Sequence, residues 1–345
     1  MLCTYNISIN FHKEDFKMKK MISLLCSIAL VAALLTGCSG SGNSSSAGGS
    51  QTDSVSQTVS ESPASTDNQA GSNYNIALIT MDSIDQHWVT LNEGAQKAAA
   101  ELGVTVTYMA PNTKDDAQQI EQVNNAVAAG CQAIIVAANG PDAITSSLQE
   151  AVDKGVKILY VDSPANMDAE ATFSTDNEAA GKLAGETLLK ALEDKGVTSG
   201  SLGIINTNAA SDSTLKREAG FRSAFEGTDF TILETQYGEG DAAKSQSIAE
   251  NYITQGVVGI FGANEGSTTG AGNAIKAAGE NAPLCVGFDK SDAILGLIED
   301  GFIVATMAQN PDVMGYESVK AAVQVLNGED LGGKVVDTGV SVLTK

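Results

Sequence analysis

Three observations predict an α/β protein built as two doubly wound parallel-sheet lobes. From residue 74 onward, short apolar runs alternate with segments of helical period, which is the mark of parallel strands flanked by helices. Runs such as Gln132-Ala133-Ile134-Ile135-Val136 are apolar without interruption after their first residue, as in strands covered on both faces. The alternation also begins afresh near residue 201, giving more chain than one open sheet needs. A single (β/α)8 barrel fits the same length and is the rival architecture.

The elements follow in order. Asn75–Thr80 is the first strand, and Leu91, Ala95, Ala98, Ala99 and Leu102 behind it fall on one helix face. Val104–Tyr108 is the second strand, followed by a helix through Ile120, Val123, Ala126 and Val127. Gln132–Val136 and Lys157–Val161 are the next strands. Ala143–Lys154 and Ala179–Asp194 are helix-forming. In the second half the strands are Ser201–Asn206, Phe230–Thr235, Val257–Phe261 and Leu284–Phe288, with a further apolar run over Phe302–Ala308.

Ahead of this body stands an address. Met18-Lys19-Lys20 precedes an apolar run from Met21 to Leu35, too short for a transmembrane helix and of the right length for a secretory signal. The run ends at Leu35-Thr36-Gly37-Cys38, which resembles the bacterial lipobox. The expected signal segment is therefore 1–37, with Met18 as its start, and Cys38 is the expected lipidation site. Two acyl chains there suit stable anchoring. An ordinary signal peptide followed by an unmodified cysteine is the alternative. Residues 38–73 are mostly Ser, Gly, Thr, Asn and Gln, too polar to bury a core, and should act as a flexible tether.

Charge and inventory exclude several functions. The 345 residues carry 20 Lys plus Arg against 42 Asp plus Glu, a net charge of −22. That sign repels nucleic acid and anionic membrane surfaces. Arg217 and Arg222 are the only arginines, and His12 and His87 the only histidines. No Cys-x-x-Cys pair occurs, so no metal site is expected. Cys131 and Cys285 read as small core residues, not as a disulfide. The Gly-rich stretch 262–270 lacks the Gly-Lys-Ser/Thr of a P-loop, and no G-x-G-x-x-G or G-x-S-x-G occurs. No cofactor is expected, and no enzymatic activity. Nothing marks a glycosidase-type carboxylate pair among the acids.

Polar groups cluster where strands end, which is where ligands bind in such sheets. After the first strand come Asp82, Asp85, His87 and Trp88, and after the fourth come Asp162 and Ser163. Asn206-Thr207-Asn208, Asn264-Glu265, Asp289-Lys290 and Gln309-Asn310 follow later runs. Short carboxylates, amides and one large aromatic suit a neutral polyhydroxylated ligand, accepting from hydroxyls, donating back and covering a ring's C–H face. Singly, such residues are more often turns or helix caps, and Asp292 reads as a cap.

Taken in order, further residues carry a resemblance: Gly94-Ala95-Gln96-Lys97, Asp176-Asn177 with Gly181, Arg217 with Gly220-Phe221, Phe261 with Asn264-Glu265, Val286-Gly287-Phe288-Asp289, and Ala305-Thr306 with Ala308-Gln309-Asn310-Pro311. From Asn75 to the C-terminus the chain resembles the type I periplasmic binding proteins of the ribose-binding kind, the sugar-binding subunits of ABC importers. The resemblance implies two lobes joined by a three-strand hinge, lobe one spanning 74–175 plus 310–337 and lobe two 176–309 plus 338–345. It implies a monomer on the outer face of the bacterial cell membrane, lipid-anchored at Cys38, that passes a sugar-like ligand to permease subunits. By position, Asn264, Asp289 and Gln309 match sugar contacts, Asp162 the aspartate that binds hydroxyls, His87 and Trp88 two ring-packing aromatics, and Asp85 a polar contact.

Two positions depart from the family. Ser163 stands where an arginine is common, and Leu215 where a second arginine is expected, leaving Ser211, Asp212 or Ser213 to serve that side. A further common aromatic position matches Gly240. These departures point away from ribose itself, toward another sugar, a sugar alcohol or a furanosyl compound. A receptor that presents the same ligand for signalling, of the autoinducer-2 or chemosensory kind, is the alternative function.

Overall fold

The computed structural model describes residues 73–280 and 282–345. The signal segment 1–37, Cys38 and the tether up to residue 72 lie outside the described residues. The first half runs β1 (Asn75–Ile79), α1 (Gln86–Leu102), β2 (Thr105–Met109), α2 (Asp116–Ala128), β3 (Ala133–Val136), α3 (Thr145–Asp153), β4 (Lys157–Val161) and β5 (Ala171–Ser174). The second continues with α4 (Asn177–Asp194), β6 (Ser199–Asn206), α5 (Asp212–Ser223), β7 (Asp229–Ile232), β8 (Gln236–Tyr237) and α6 (Ala242–Thr254). It closes with β9 (Gly259–Gly262), α7 (Glu265–Ala278), β10 (Leu284–Phe288), α8 (Asp292–Glu299), β11 (Ala305–Gln309), α9 (Pro311–Leu326), β12 (Lys334–Asp337) and β13 (Val340–Thr344).

These strands form two sheets, ordered β12-β5-β4-β3-β1-β2 and β13-β11-β10-β9-β6-β7, with β8 beside β6. Two open sheets overturn the barrel alternative. All pairings among the described strands are parallel except β13 against β11. The chain re-enters the second sheet from β12 after only two residues, so its last strand runs back along the edge. Antiparallel edges on parallel sheets are common. The chain passes between sheets after β5, after β11 and after β12. These crossings are tied together: Thr338 N donates to Ser174 O at 2.8 Å, Asn310 Nδ2 to Thr338 O at 2.8 Å, and Asp176 N to Asp337 Oδ1 at 3.0 Å.

Each sheet is buried on both faces. Along β1, Ile76 and Leu78 join the core layer under α1 and α9, while Ala77 and Ile79 join the layer under α2 and α3. The same division places Phe261 and Ile260 of β9 in opposite layers, as strand pleating requires. Cys131 and Cys285 are buried and unpaired as expected. The strands β5, β8, β12 and β13 were not expected; they are short or carry alternating polar residues on sheet margins. Asp292 is corrected too: Ser291 is the N-cap of α8, its side chain accepting from Ile294 N, and Asp292 is the first helical residue.

Glycine sets the approach of two helix pairs. A Cβ on Gly94 of α1 would stand 2.0 Å from the Asp312 carbonyl oxygen of α9, and one on Gly315 would stand 1.9 Å from that of Leu91. In the second lobe a Cβ on Gly181 of α4 would meet Arg217 O at 2.0 Å, and one on Gly220 of α5 would meet Glu178 O at 2.0 Å. This close crossing lets the Arg217 side chain reach the start of α4. Gly220→Ala is therefore expected to destabilise by about 1–3 kcal/mol through forced backbone separation, read as a lower urea midpoint.

Candidate functional site

Between the two sheets lies an enclosed cleft lined by Met81, Asp85, His87, Trp88 and Asp162 from one side and by Thr207, Ser213, Arg217, Asn264 and Asp289 from the other, with Gln309 at the crossing. The structure thus brings together the expected residues Asp85, His87, Trp88, Asp162, Ser213, Asn264, Asp289 and Gln309. Ser163 lies directly behind them, fully buried. Its hydroxyl donates to Asp162 Oδ1 at 2.8 Å and stands 2.8 Å from Ser213 Oγ across the cleft. Ser211 also lines the cleft. Asp212 does not, pairing with Lys216 at 2.7 Å instead.

Two carboxylates dominate the geometry. Asp162 follows β4 and Asp289 follows β10, and both adopt left-handed backbone (φ 60° and 76°). Among the described residues only Glu239 shares that state without being glycine. Such conformations cost of order 1–3 kcal/mol each and gather at functional sites. The His87 imidazole bridges the two acids, Nε2 lying 3.1 Å from Asp162 Oδ2 and Nδ1 3.6 Å from Asp289 Oδ1. Burial alone would lower its pKa; contact with Asp162 and then Asp289 raises it to about 10. Burial pushes both acids up, but His87 beside them and the Arg217 charge outweigh it and hold them below the usual carboxylate range. The Trp88 ring stands edge-on to His87, with centroids 4.6 Å apart.

Arg217 organises the floor. Nε donates to Asn177 Oδ1 at 2.7 Å, one terminal nitrogen to Ala263 O at 2.9 Å, and the other to Gln309 Oε1 at 2.8 Å. Its guanidinium lies 4.2 Å from the Phe288 ring centroid and 4.0 Å from Asp162 Oδ2. Gln309 passes the connection on, donating to Asp289 Oδ1 at 2.7 Å. Asn264 is an N-cap as well as a lining residue: its side-chain oxygen accepts from Ser267 N at 3.2 Å and from Ser267 Oγ at 2.6 Å. Asp85 occupies the N-cap position of α1 without capping it, because its carboxylate is taken by Lys114 Nζ at 2.7 Å. Lys114 also pairs with Asp82.

Sequence reasoning missed Lys114 and Arg217 as cleft residues, and had Thr207 and Glu265 only among the polar groups at strand ends. Arg217 had a signal in being one of only two arginines; Lys114 sits in a loop with none. Two buried polar atoms of lining residues, Trp88 Nε1 and Thr207 Oγ1, have no hydrogen-bond partner among the described residues. Buried polar atoms are nearly always paired, so these mark groups available to a ligand. The enclosed space is about 30 Å³, room for one or two water molecules. A larger guest needs the lobes to part. Carboxylates, hydroxyls, amides and an aromatic face in an enclosed cleft can grip a small hydroxylated molecule.

The family model of the periplasmic binding protein domain matches residues 76–330. A ribose import binding protein of Haemophilus influenzae is 29% identical over 263 residues, covering 75% of this chain and 87% of its own. A carbohydrate transporter solute-binding protein of Agrobacterium radiobacter, solved with D-arabinose, is 30% identical with a TM-score of 0.76, covering 79% of this chain and 95% of its own. An ABC transporter solute-binding protein of Agrobacterium vitis, solved with D-fucose, is 29% identical with a TM-score of 0.74 over the same shares.

Proposed function

The chain belongs to the periplasmic binding protein domain family, and on that premise we propose that it captures a sugar or sugar-like ligand between two lobes and delivers it to an ABC permease. The lobes of this reading are 74–175 plus 310–337 and 176–309 plus 338–345. The observation that carries it is the convergence of Asp162 from one lobe and Asp289 from the other on a single enclosed cleft. A ligand whose hydroxyls engage both acids stabilises the closed form over the open one, and that difference is what a permease reads. Asn264, Gln309 and Ser213 supply further polar contacts, Ser163 holds Asp162 in place, and Trp88 covers a ring face. The protein acts as a lipid-anchored monomer, held outside the cytoplasm by Cys38.

The test is a thermal-shift panel of pentoses, hexoses, polyols, furanosyl compounds and nucleosides. A true ligand at 100-fold over its Kd adds about 2.7 kcal/mol of stability. A flat panel across all classes would sink the reading. With a sugar that shifts the melting point in hand, Trp88→Ala is expected to weaken its affinity by about 1–3 kcal/mol, measured by titration calorimetry. Unchanged affinity in a folded variant removes Trp88 from the site.

A further inference from the structure

The first turn of α1 is capped from the wrong lobe. Free N–H groups at a helix start are normally met by the side chain at the N-cap. Here that residue is Asp85, whose backbone is extended (φ −63°, ψ 134°) as a cap requires, yet its side chain makes no cap bond. Its carboxylate is committed to Lys114. The N–H groups of Gln86 and His87 are met instead by Glu265, the first residue of α7 in the second sheet's lobe. Oε1 accepts from Gln86 N at 3.0 Å and Oε2 from His87 N at 3.2 Å. Both carboxylate oxygens thus engage adjacent amides at the positive end of a helix. The α7 helix has its own cap in Asn264, so Glu265 is not needed there.

We propose that Glu265 is the positioning residue for lobe closure, docking lobe two on the first turn of α1 by completing a helix cap that lobe one leaves unfinished. This rests on the reading of the cleft as one that closes on a ligand. The same turn carries His87 and Trp88, so the dock sets where both rings stand in the cleft. Among the described residues backbone amides are its only hydrogen-bond partners, which makes the dock insensitive to the side chain at Gln86.

The dock is also proton-sensitive. Facing Glu265 are Asp289 from the end of β10 and Asp85 from the turn before α1, the latter paired with Lys114; the nearby His87 ring is held by Asp162 and Asp289. Burial, then the charges of Asp289 and Asp85, raise the Glu265 carboxyl to about 7, outweighing the two amide hydrogen bonds, which favour the ionised form. The closed form therefore favours the protonated acid, and closure weakens as pH rises from about 4.5 through about 7.

Trp88, the sole tryptophan of the chain, is buried in the closed cleft and reports the dock directly. Acrylamide quenching of its fluorescence is measured on the full chain without added sugar, for the wild type, Glu265→Ala and Glu265→Gln, between pH 5 and pH 7. The expected result is stronger quenching in Glu265→Ala at pH 5, from a closed-to-open ratio lowered by about tenfold, or about 1.4 kcal/mol. Glutamine keeps one neutral acceptor but sets its NH2 group against the second amide, so Glu265→Gln should be quenched somewhat more than the wild type at pH 5, less than Glu265→Ala, and lack the wild-type rise in quenching toward pH 7. Wild-type quenching in Glu265→Ala, or an unchanged pH step in Glu265→Gln, overturns the proposal. If circular dichroism shows that the alanine variant does not fold, the pH step of the glutamine variant decides. No sugar enters the measurement, so a flat sugar panel and a failed dock are separate outcomes.

Discussion

Arg217→Met is expected to destabilise the protein by about 3–5 kcal/mol, because it removes one partner from a buried charged network. The guanidinium is almost wholly buried, at 2% exposure, and satisfies Asn177, Ala263 O and Gln309 at once. It is also the charge on lobe two that faces both cleft acids. Its loss takes the donor from the Asn177 side-chain oxygen and from the Ala263 carbonyl, each an expensive group to bury unpaired, and leaves Gln309 Oε1 with Thr175 Oγ1 alone, at 3.0 Å. The methionine chain fills the volume but offers no donor. Arg222→Met is the internal control. Its guanidinium pairs with Glu218 at 2.8 Å with 39% of the side chain exposed, and pairs of that kind contribute less than about 1 kcal/mol. Urea unfolding of both variants checks the contrast. Equal midpoints would mean that the Arg217 network is no stronger than a surface ion pair.

How much of this was legible beforehand depends on the range of the interaction. Asp162, Asn264 and Asp289 could be read because each follows an apolar run, and a strand end in a doubly wound sheet is a place where loops converge. Gln309 was legible on the same ground. The two-lobe division was signalled by the restart of alternation at β6, whose Leu202, Ile204 and Ile205 give a new apolar run. The strands at that margin were not: β12, at the edge, carries Lys334 and Asp337, and β5 beside it is half polar, Ala171-Thr172-Phe173-Ser174, so neither offers a run to recognise. Asp85 was found at the right place for a partly different reason, its carboxylate being spoken for by Lys114, which has no local pattern. Glu265 stood next to a recognised residue, yet its partners are backbone amides 179 and 178 positions away. Backbone donors leave no trace in side-chain identity, so only the folded chain reveals that contact.

Stability is expected to fall steadily above neutral pH, and His87 is the reason. The imidazole has a pKa of about 10 in the folded protein against an ordinary 6.5. A raised folded value means that the contribution is fully present below about 6.5 and is lost as pH rises through about 10. Across that window one proton is at stake, so the slope is at most about 1.4 kcal/mol per pH unit. Asp162 and Asp289 act in the other direction. Their folded values are held below the ordinary one, so their contribution is present above about 3.8 and lost in acid. The three groups together place the optimum between mildly acidic pH and neutrality. His87→Gln should remove the alkaline slope while lowering stability at pH 6, because two buried carboxylates then face each other with Arg217 as their nearest remaining cation. Melting curves of both proteins from pH 6 to pH 10 test this: they should converge as pH rises. Parallel curves would show that the imidazole is neutral in the cleft, and that the two lobes are held together there by hydrogen bonds alone.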